Sequence, residues 1–421
     1  MHIHSFATSL SKIITFILLA VPNISFALVQ INYDYPNIDT YRGTLSSSAL
    51  TLPAGASWTR VQFSPFNRVI GQNKPMVSFR FFRKANNCRG RSDELTFVLA
   101  GLGGTGDSKS ASYLAARLNL KCRNVAVIPS IFRSNVLMAI NSKGFLSDMS
   151  EGSRDFYEML KAIERYITRN ILKTSDNYFQ QYDLLGISMG GYTVAKLAEV
   201  DEEEKYFNFH KMVMINPPVR LFKGMEALDE LKSNYWKMGR WRRRYVKARL
   251  GSRIAIHRRY RIDKISHHNF VNSIGFMRNY EVKGFLGNYL NAPLYSMTKA
   301  SQTLCSHLLK KPINYVFRRA VSFKEYIYNF IPYLYSQTTE VVVSHDELNR
   351  NNSLNNIEEK LRRYSNLYVI HNADDFLIDR SDIRFLDEVF ASNFYLFPRG
   401  GHVGNLWHPK MQSLINNILN R

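Results

Sequence analysis

An α/β domain with a mostly parallel sheet and helices on both faces is the fold that this 421-residue chain predicts. Three observations carry the prediction. Continuous apolar runs of strand length alternate with amphipathic stretches of helix length. One such strand passes into a helix through Gly186-Ile187-Ser188-Met189-Gly190, where the chain must reverse within a few residues. The alternation breaks once, from about residue 220 to about residue 350, and then resumes.

The elements follow in order. Residues 1–27 hold no acid, a single Lys12, and an apolar run over 13–21 that stops at Pro22. Ser25 and Ala27 supply small residues before a cleavage point. This predicts a signal peptide whose apolar run is too short to span a bilayer, and an exported protein, periplasmic or extracellular. Strand-like stretches at 57–63 and 76–83 precede the first strong strand, 95–100, whose unbroken apolar character is that of a strand covered on both faces. A helix over 111–120 and a strand over 124–129 come next. A long helix over 151–171 is marked by Phe156, Met159, Leu160, Ile163, Ile167 and Ile171 at three-and-four spacing. The serine strand (182–185) follows, then its helix and a strand over 212–215. After the break come a helix (353–364), a strand (366–371), a helix (380–390), a strand (393–397) and a closing helix (405–419).

A gap of about 130 residues between consecutive strands is far too long for a connecting loop. Residues 220–350 therefore read as a helical cap inserted into a core made of 28–219 and 351–421. With 45% apolar and 13% aromatic residues, the chain has ample material for that core. Of three cysteines, Cys88 precedes the 95–100 strand and Cys122 ends the helix after it, so both fall at one edge of the sheet. That placement allows a Cys88–Cys122 bond, with two reduced cysteines as the alternative, and Cys305 reads as a small buried hydrophobe.

The serine turn suggests nucleophilic chemistry. A serine nucleophile needs a base for its proton, an acid to orient that base, and donors for the oxyanion. Two late strands end in suitable groups. Strand 367–371 runs into Asn372-Ala373-Asp374-Asp375, and strand 395–398 runs into Arg399-Gly400-Gly401-His402. Among 11 histidines, His402 has the clearest context; His371 lies inside a strand, as a core or supporting residue, and His267 and His268 belong to the cap.

Order and context together resemble the α/β-hydrolase superfamily, over roughly 76–215 and 366–419. The resemblance implies Ser188 as nucleophile, His402 as base, and an acid in a turn that often reads glycine, two residues, Asp, then an apolar pair. Asn372-Ala373-Asp374-Asp375-Phe376-Leu377 fits with Asn in the glycine place, which points to Asp375 with Asp374 as the alternative. It further implies an oxyanion hole from the backbone N–H groups of Met189 and Leu102. Ala100 stands where the family's loop usually carries His. The implied activity is cleavage of carboxylic esters or thioesters through an acyl-enzyme, on a small-molecule or lipid-like acyl substrate. Peptidase or acyltransferase chemistry, or a catalytically silent scaffold that binds anionic surfaces, are the alternatives.

Gly101, Gly103 and Gly106 also fit the dinucleotide pattern G-x-G-x-x-G. That pattern needs an acid about twenty residues on, and there is none between Asp107 and Asp148. Asp107 also stands where a phosphate loop would need Lys. No cofactor or metal is expected. Between Trp236 and Lys264 there are 12 Lys or Arg against one acid, within a chain of formal charge +22. The cap is thus expected to attract an anionic membrane surface or polyanion. Nucleic acid is not expected, because no recognition motif accompanies the charge.

Overall fold

The structure is a computed structural model. It describes residues 29–47, 50–66, 75–85, 88, 93–140, 149–175, 178–237, 239, 241, 323–325, 328 and 344–421. The expected signal peptide (1–27), the basic stretch beyond Trp241, His267, His268 and Cys305 lie outside the described residues.

In chain order the main elements are β1 (Val29–Gln30), α1 (Thr40–Ser46), β2 (Thr59–Phe63), β3 (Val77–Phe82), β4 (Glu94–Leu99), α2 (Lys109–Asn119), β5 (Asn124–Ile128), α3 (Ser134–Ile140) and α4 (Met149–Tyr166). They continue with β6 (Gln181–Ile187), α5 (Met189–Glu204), β7 (Lys211–Ile215), α6 (Leu221–Lys237), α7 (His345–Asn351), β8 (Leu367–Asn372), α8 (Arg380–Phe390), β9 (Phe394–Phe397) and α9 (Pro409–Leu419). The strands form one sheet in the order β1-β9-β8-β7-β6-β4-β5-β3-β2. Pairing is parallel from β1 to β5, and antiparallel at the β5–β3 and β3–β2 seams.

The sheet divides the apolar core in two. On one face Phe97, Leu184, Met214 and Val369 pack against α4, α5 and α8; on the other Val98, Leu185, Val213 and Ile370 pack against α2 and α9. Adjacent residues of one strand thus enter different cores, which is why the central strands read as unbroken apolar runs. Cys88 and Cys122 are bonded, with Cα atoms 5.6 Å apart, tying the loop before β4 to the turn after α2.

Three element boundaries differ from the sequence expectation. The long helix is α-helical only to Tyr166 and continues as a π-helical turn, Ile167–Leu172, ended by Lys173 in the left-handed conformation. There the Thr174 N–H reaches back to the Thr168 carbonyl. The expected helix over 353–364 is a 3-10 turn, Leu354–Ile357, followed by one α-helical turn, Glu358–Leu361. Its start is pinned by Ser353, which caps Asn355 and bonds Val219 O at 3.4 Å. The closing helix begins at Pro409, with His408 as its cap, because the residues before it are occupied in the His402 loop.

The chain leaves β7 and returns towards β8 at one place. Arg220 bridges Ser353, Leu221 N bonds Asn352 O at 3.1 Å, and Leu354 N bonds Val219 O at 2.9 Å. Between Arg220 and Asn352 the described elements are α6, α7 and the short turn Phe323–Glu325. Asp229 in α6 receives the N–H groups of Phe323 and Lys324 at 3.0 and 2.8 Å.

Candidate active site

The chain has the α/β-hydrolase fold: a mostly parallel sheet whose central strand β6 hands a serine to the helix behind it through a sharp turn. Four neighbouring strands end at the same rim, and each is followed there by polar residues. β6 is followed by Ser188, β7 by Asn216, β8 by Asp374 and Asp375, and β9 by the loop that carries His402. The ladder continues one residue past the strand ends. Ser188 N bonds Ile215 O at 2.7 Å, Asn216 N bonds Ile370 O at 2.8 Å, and Ala373 N bonds Phe397 O at 2.8 Å. The rim residues are therefore fixed by the sheet rather than by flexible connections.

Ser188 sits at φ 57°, ψ −120°, a strained conformation for a residue with a side chain. The turn closes so tightly that a Cβ on Gly186 would lie 2.1 Å from Gly190 O, and one on Gly190 would lie 2.4 Å from Leu99 O. Glycine is thus required at both places. The half-buried Ser188 hydroxyl lies 2.7 Å from His402 Nε2, and His402 Nδ1 lies 2.8 Å from Asp375 Oδ2. A ring nitrogen facing a carboxylate carries its proton there, so Nδ1–H donates to Asp375 and Nε2 keeps the lone pair that accepts from Ser188. Asp375, not Asp374, is thus the carboxylate that meets the imidazole.

Asp375 is almost fully buried. Burial alone would raise its pKa, but His402, through charge and hydrogen bond, together with His371 and the Leu377 N–H, brings the carboxyl down to about 2. The Leu377 N–H bonds Oδ1 at 3.0 Å. Asn216 Nδ2 donates at 2.9 Å to Oδ2, the same oxygen that receives His402.

Asp374 turns the other way and accepts the Gly401 N–H at 2.8 Å, bracing the histidine loop; burial pushes its own carboxyl pKa up. His371 is wholly buried. Its Nε2–H donates to Pro217 O at 3.1 Å and its Nδ1 accepts from Asn372 N at 3.0 Å. Burial, the largest influence, lowers its pKa, against the opposing pull of the Asp375 charge.

Asn372 answers a question raised by the sequence, where it occupies the place of a glycine. Its amide pairs reciprocally with Asn405, at 3.0 and 2.7 Å, and donates to Gly401 O at 2.8 Å. Glycine there would leave the acid turn and the histidine loop without that bridge.

Met189 is the first residue of α5, so its N–H belongs to the four at a helix start that have no acceptor within the helix. Leu102 lies in the turn after β4, closed by Gly104 N to Gly101 O at 2.9 Å. That turn abuts the serine: a Cβ on Gly101 would lie 3.4 Å from Ser188 Cβ and 3.8 Å from Oγ. The structure thus brings together Ser188, His402 and Asp375, with Met189 next in the chain and the Gly101 end of the Leu102 turn against the serine.

Sequence reasoning missed Asn216 and Thr44. Asn216 carried a usable signal, since an Asn-Pro pair directly after a strand marks a turn at the rim. Thr44, whose Oγ1 accepts the His402 N–H at 2.8 Å, carried none.

No family model matches the chain, and no curated protein matches it in sequence. Solved structures similar to it include esterase B from Lactobacillus rhamnosis, at 12% identity over 90% of this chain and 89% of that one, with a TM-score of 0.43. An esterase from Pyrococcus furiosus is 11% identical over 94% of this chain and 98% of that one, with a TM-score of 0.41. A peroxisomal alpha-beta-hydrolase from Saccharomyces cerevisiae is 14% identical over 87% and 90%, with a TM-score of 0.39. The fold assignment above rests on strand order and the serine turn.

Proposed function

We propose that the protein is a serine hydrolase that cleaves carboxylic esters or thioesters of small-molecule or lipid-like acyl substrates. One observation carries the reading: hydroxyl, imidazole and carboxylate of Ser188, His402 and Asp375 stand in hydrogen-bond succession at 2.7 and 2.8 Å. In the reaction, Ser188 Oγ attacks the acyl carbon while its proton passes to His402 Nε2. The imidazolium so formed is stabilised by Asp375, held ionised by the donors around it. The oxyanion is received by the backbone N–H groups of Met189 and Leu102. His402 then gives its proton to the leaving group, and water resolves the acyl-enzyme by the same route in reverse.

Export through the 1–27 segment is part of the proposal. It is supported by the signal-like layout of that segment and by the Cys88–Cys122 bond, which suits an oxidising compartment. An anionic membrane surface or polyanion as partner of the basic stretch is supported by charge alone.

A panel of p-nitrophenyl esters of graded acyl length, run with wild type and Ser188→Ala, tests the activity. Turnover that disappears in Ser188→Ala is expected. Turnover equal in the two proteins, or absent for every ester with folded wild type, would reject the reading.

A further inference from the structure

The segment between the expected signal peptide and β2 is not spent on connection. Residues 29–47 lie along the outer side of the loop that carries His402. β1 adds to the sheet beside β9, with Val29 opposite Tyr395 and Gln30 opposite Leu396, and Ile31 N extends the pairing to Leu396 O at 2.9 Å. Beyond the strand, the Tyr33 hydroxyl donates to Arg399 O, and the Arg399 guanidinium donates to Asn37 Oδ1.

The backbone of α1 then meets the loop at contact distance. A Cβ on Gly404 would lie 1.9 Å from Gly43 O, and one on Gly43 would lie 3.0 Å from Gly400 O. Ser46 Oγ donates to Gly404 O at 2.6 Å. At the centre, buried Thr44 donates its hydroxyl to Thr40 O at 2.7 Å and accepts the His402 N–H at 2.8 Å. The clamped loop needs such restraint, because Gly401 and Val403, on either side of the histidine, have φ of 58° and 65°. Tyr41 completes the contact by stacking on Phe376, whose ring lies 5.9 Å from that of His402.

We propose that the N-terminal arm, through Thr44, is a positioning device for the general base: it fixes the main chain of His402 so that Nε2 meets Ser188 Oγ. The proposal rests on the serine-hydrolase reading and adds to it a residue that touches neither substrate nor the reacting atoms. The mechanism is geometric. A base displaced by about an ångström loses most of its ability to take the serine proton, with rate losses near 100-fold. Thr44→Val keeps the branched shape and removes the acceptor, whereas Thr44→Ser keeps the acceptor.

The test uses the full chain. The rate of labelling by a fluorophosphonate probe is measured for wild type, Thr44→Val, Thr44→Ser and Tyr157→Phe, each with its melting temperature. Hydrogen exchange of peptides spanning 399–408 is followed in parallel. Tyr157 donates to Asp201 in the core beyond the site, so its loss controls for destabilisation alone.

The expected result is a 10- to 100-fold slower labelling of folded Thr44→Val with faster exchange of 399–408. Thr44→Ser should label within about twofold of wild type, and Tyr157→Phe should melt lower yet label at the wild-type rate. Labelling of Thr44→Val at the wild-type rate, or unchanged exchange of the loop, would overturn the positioning role while leaving the hydrolase reading intact. Folded wild type that resists the probe altogether would overturn both.

Discussion

The loop bearing His402 is held from two sides, and the two are built differently. On the inner side stand Asn216, Asp375, Asn372 and His371, nearly or wholly buried residues at the ends of central parallel strands. On the outer side lies the arm of residues 29–47, added at the sheet edge by a two-residue strand and one short helix. The inner side supplies chemistry: a carboxylate held ionised, with its donors already in place. The outer side supplies position alone, through the hydroxyls of Tyr33, Thr44 and Ser46 and close backbone packing. In the proposed mechanism the base thus has its electrostatics set by the core of the sheet and its main-chain placement set by an accessory strap.

That division is sharpened most by the two acidic residues of the same turn. Asp375→Asn should lower kcat by roughly 10³- to 10⁴-fold, because an amide at that place favours the wrong imidazole tautomer. Asp374→Asn changes a brace on Gly401, and a loss of about tenfold, carried with a lower melting temperature, is expected. Steady-state kinetics of the pair checks this; comparable losses would mean that the turn acts as one unit.

The disulfide offers a contrast at a distance from the loop. Replacing Cys88 and Cys122 by Ala opens a link with a sequence separation of 34 residues. The expected cost is about 4 kcal/mol of stability by chain entropy, with kcat at 25 °C unchanged. Denaturant unfolding beside an ester assay measures both, and a fall in kcat of the still-folded variant would tie the sheet edge to the site.

Asn216 tests whether the inner side tunes charge as well as shape. Asn216→Leu removes a donor to Asp375 Oδ2, and a hydrogen bond to a charged group is worth about 1.5–3 kcal/mol, so kcat should fall roughly 10- to 100-fold. The pH dependence carries the sign. The folded Asp375 carboxyl lies near 2, below its unfolded value, so its stabilisation is complete above about pH 4 and is lost as pH falls towards 2. Without the Asn216 donor the folded value rises, and the loss should begin at higher pH. Acid unfolding of the variant at the wild-type pH would remove Asn216 from the electrostatic account.

The same inner–outer contrast explains what could be read from the chain. The central strands announced themselves because both faces are buried, so Leu95 to Ala100 and Leu367 to Ile370 are dominated by apolar residues. Ser188, His402 and the acid pair could be placed because each follows such a strand, and the alternative between Asp374 and Asp375 needed only side-chain direction to resolve.

The arm was not legible. β1 is two residues long, too short for any periodicity, and α1 owes its place to tertiary contacts with Gly400 and Gly404 rather than to an apolar stripe. Asn372 stands in the sequence where a glycine is usual, but its pairing with Asn405 depends on a meeting of two loops 33 residues apart. Local pattern cannot encode that.

The central claim is that Ser188 is a nucleophile activated by His402. It is tested most directly by mapping the covalent adduct of a fluorophosphonate on wild type and on His402→Ala. The account predicts one adduct, on the peptide containing Ser188, and formation slowed by roughly 10³-fold or more in His402→Ala. An adduct on any other residue, or labelling of Ser188 at an equal rate without the imidazole, would contradict it.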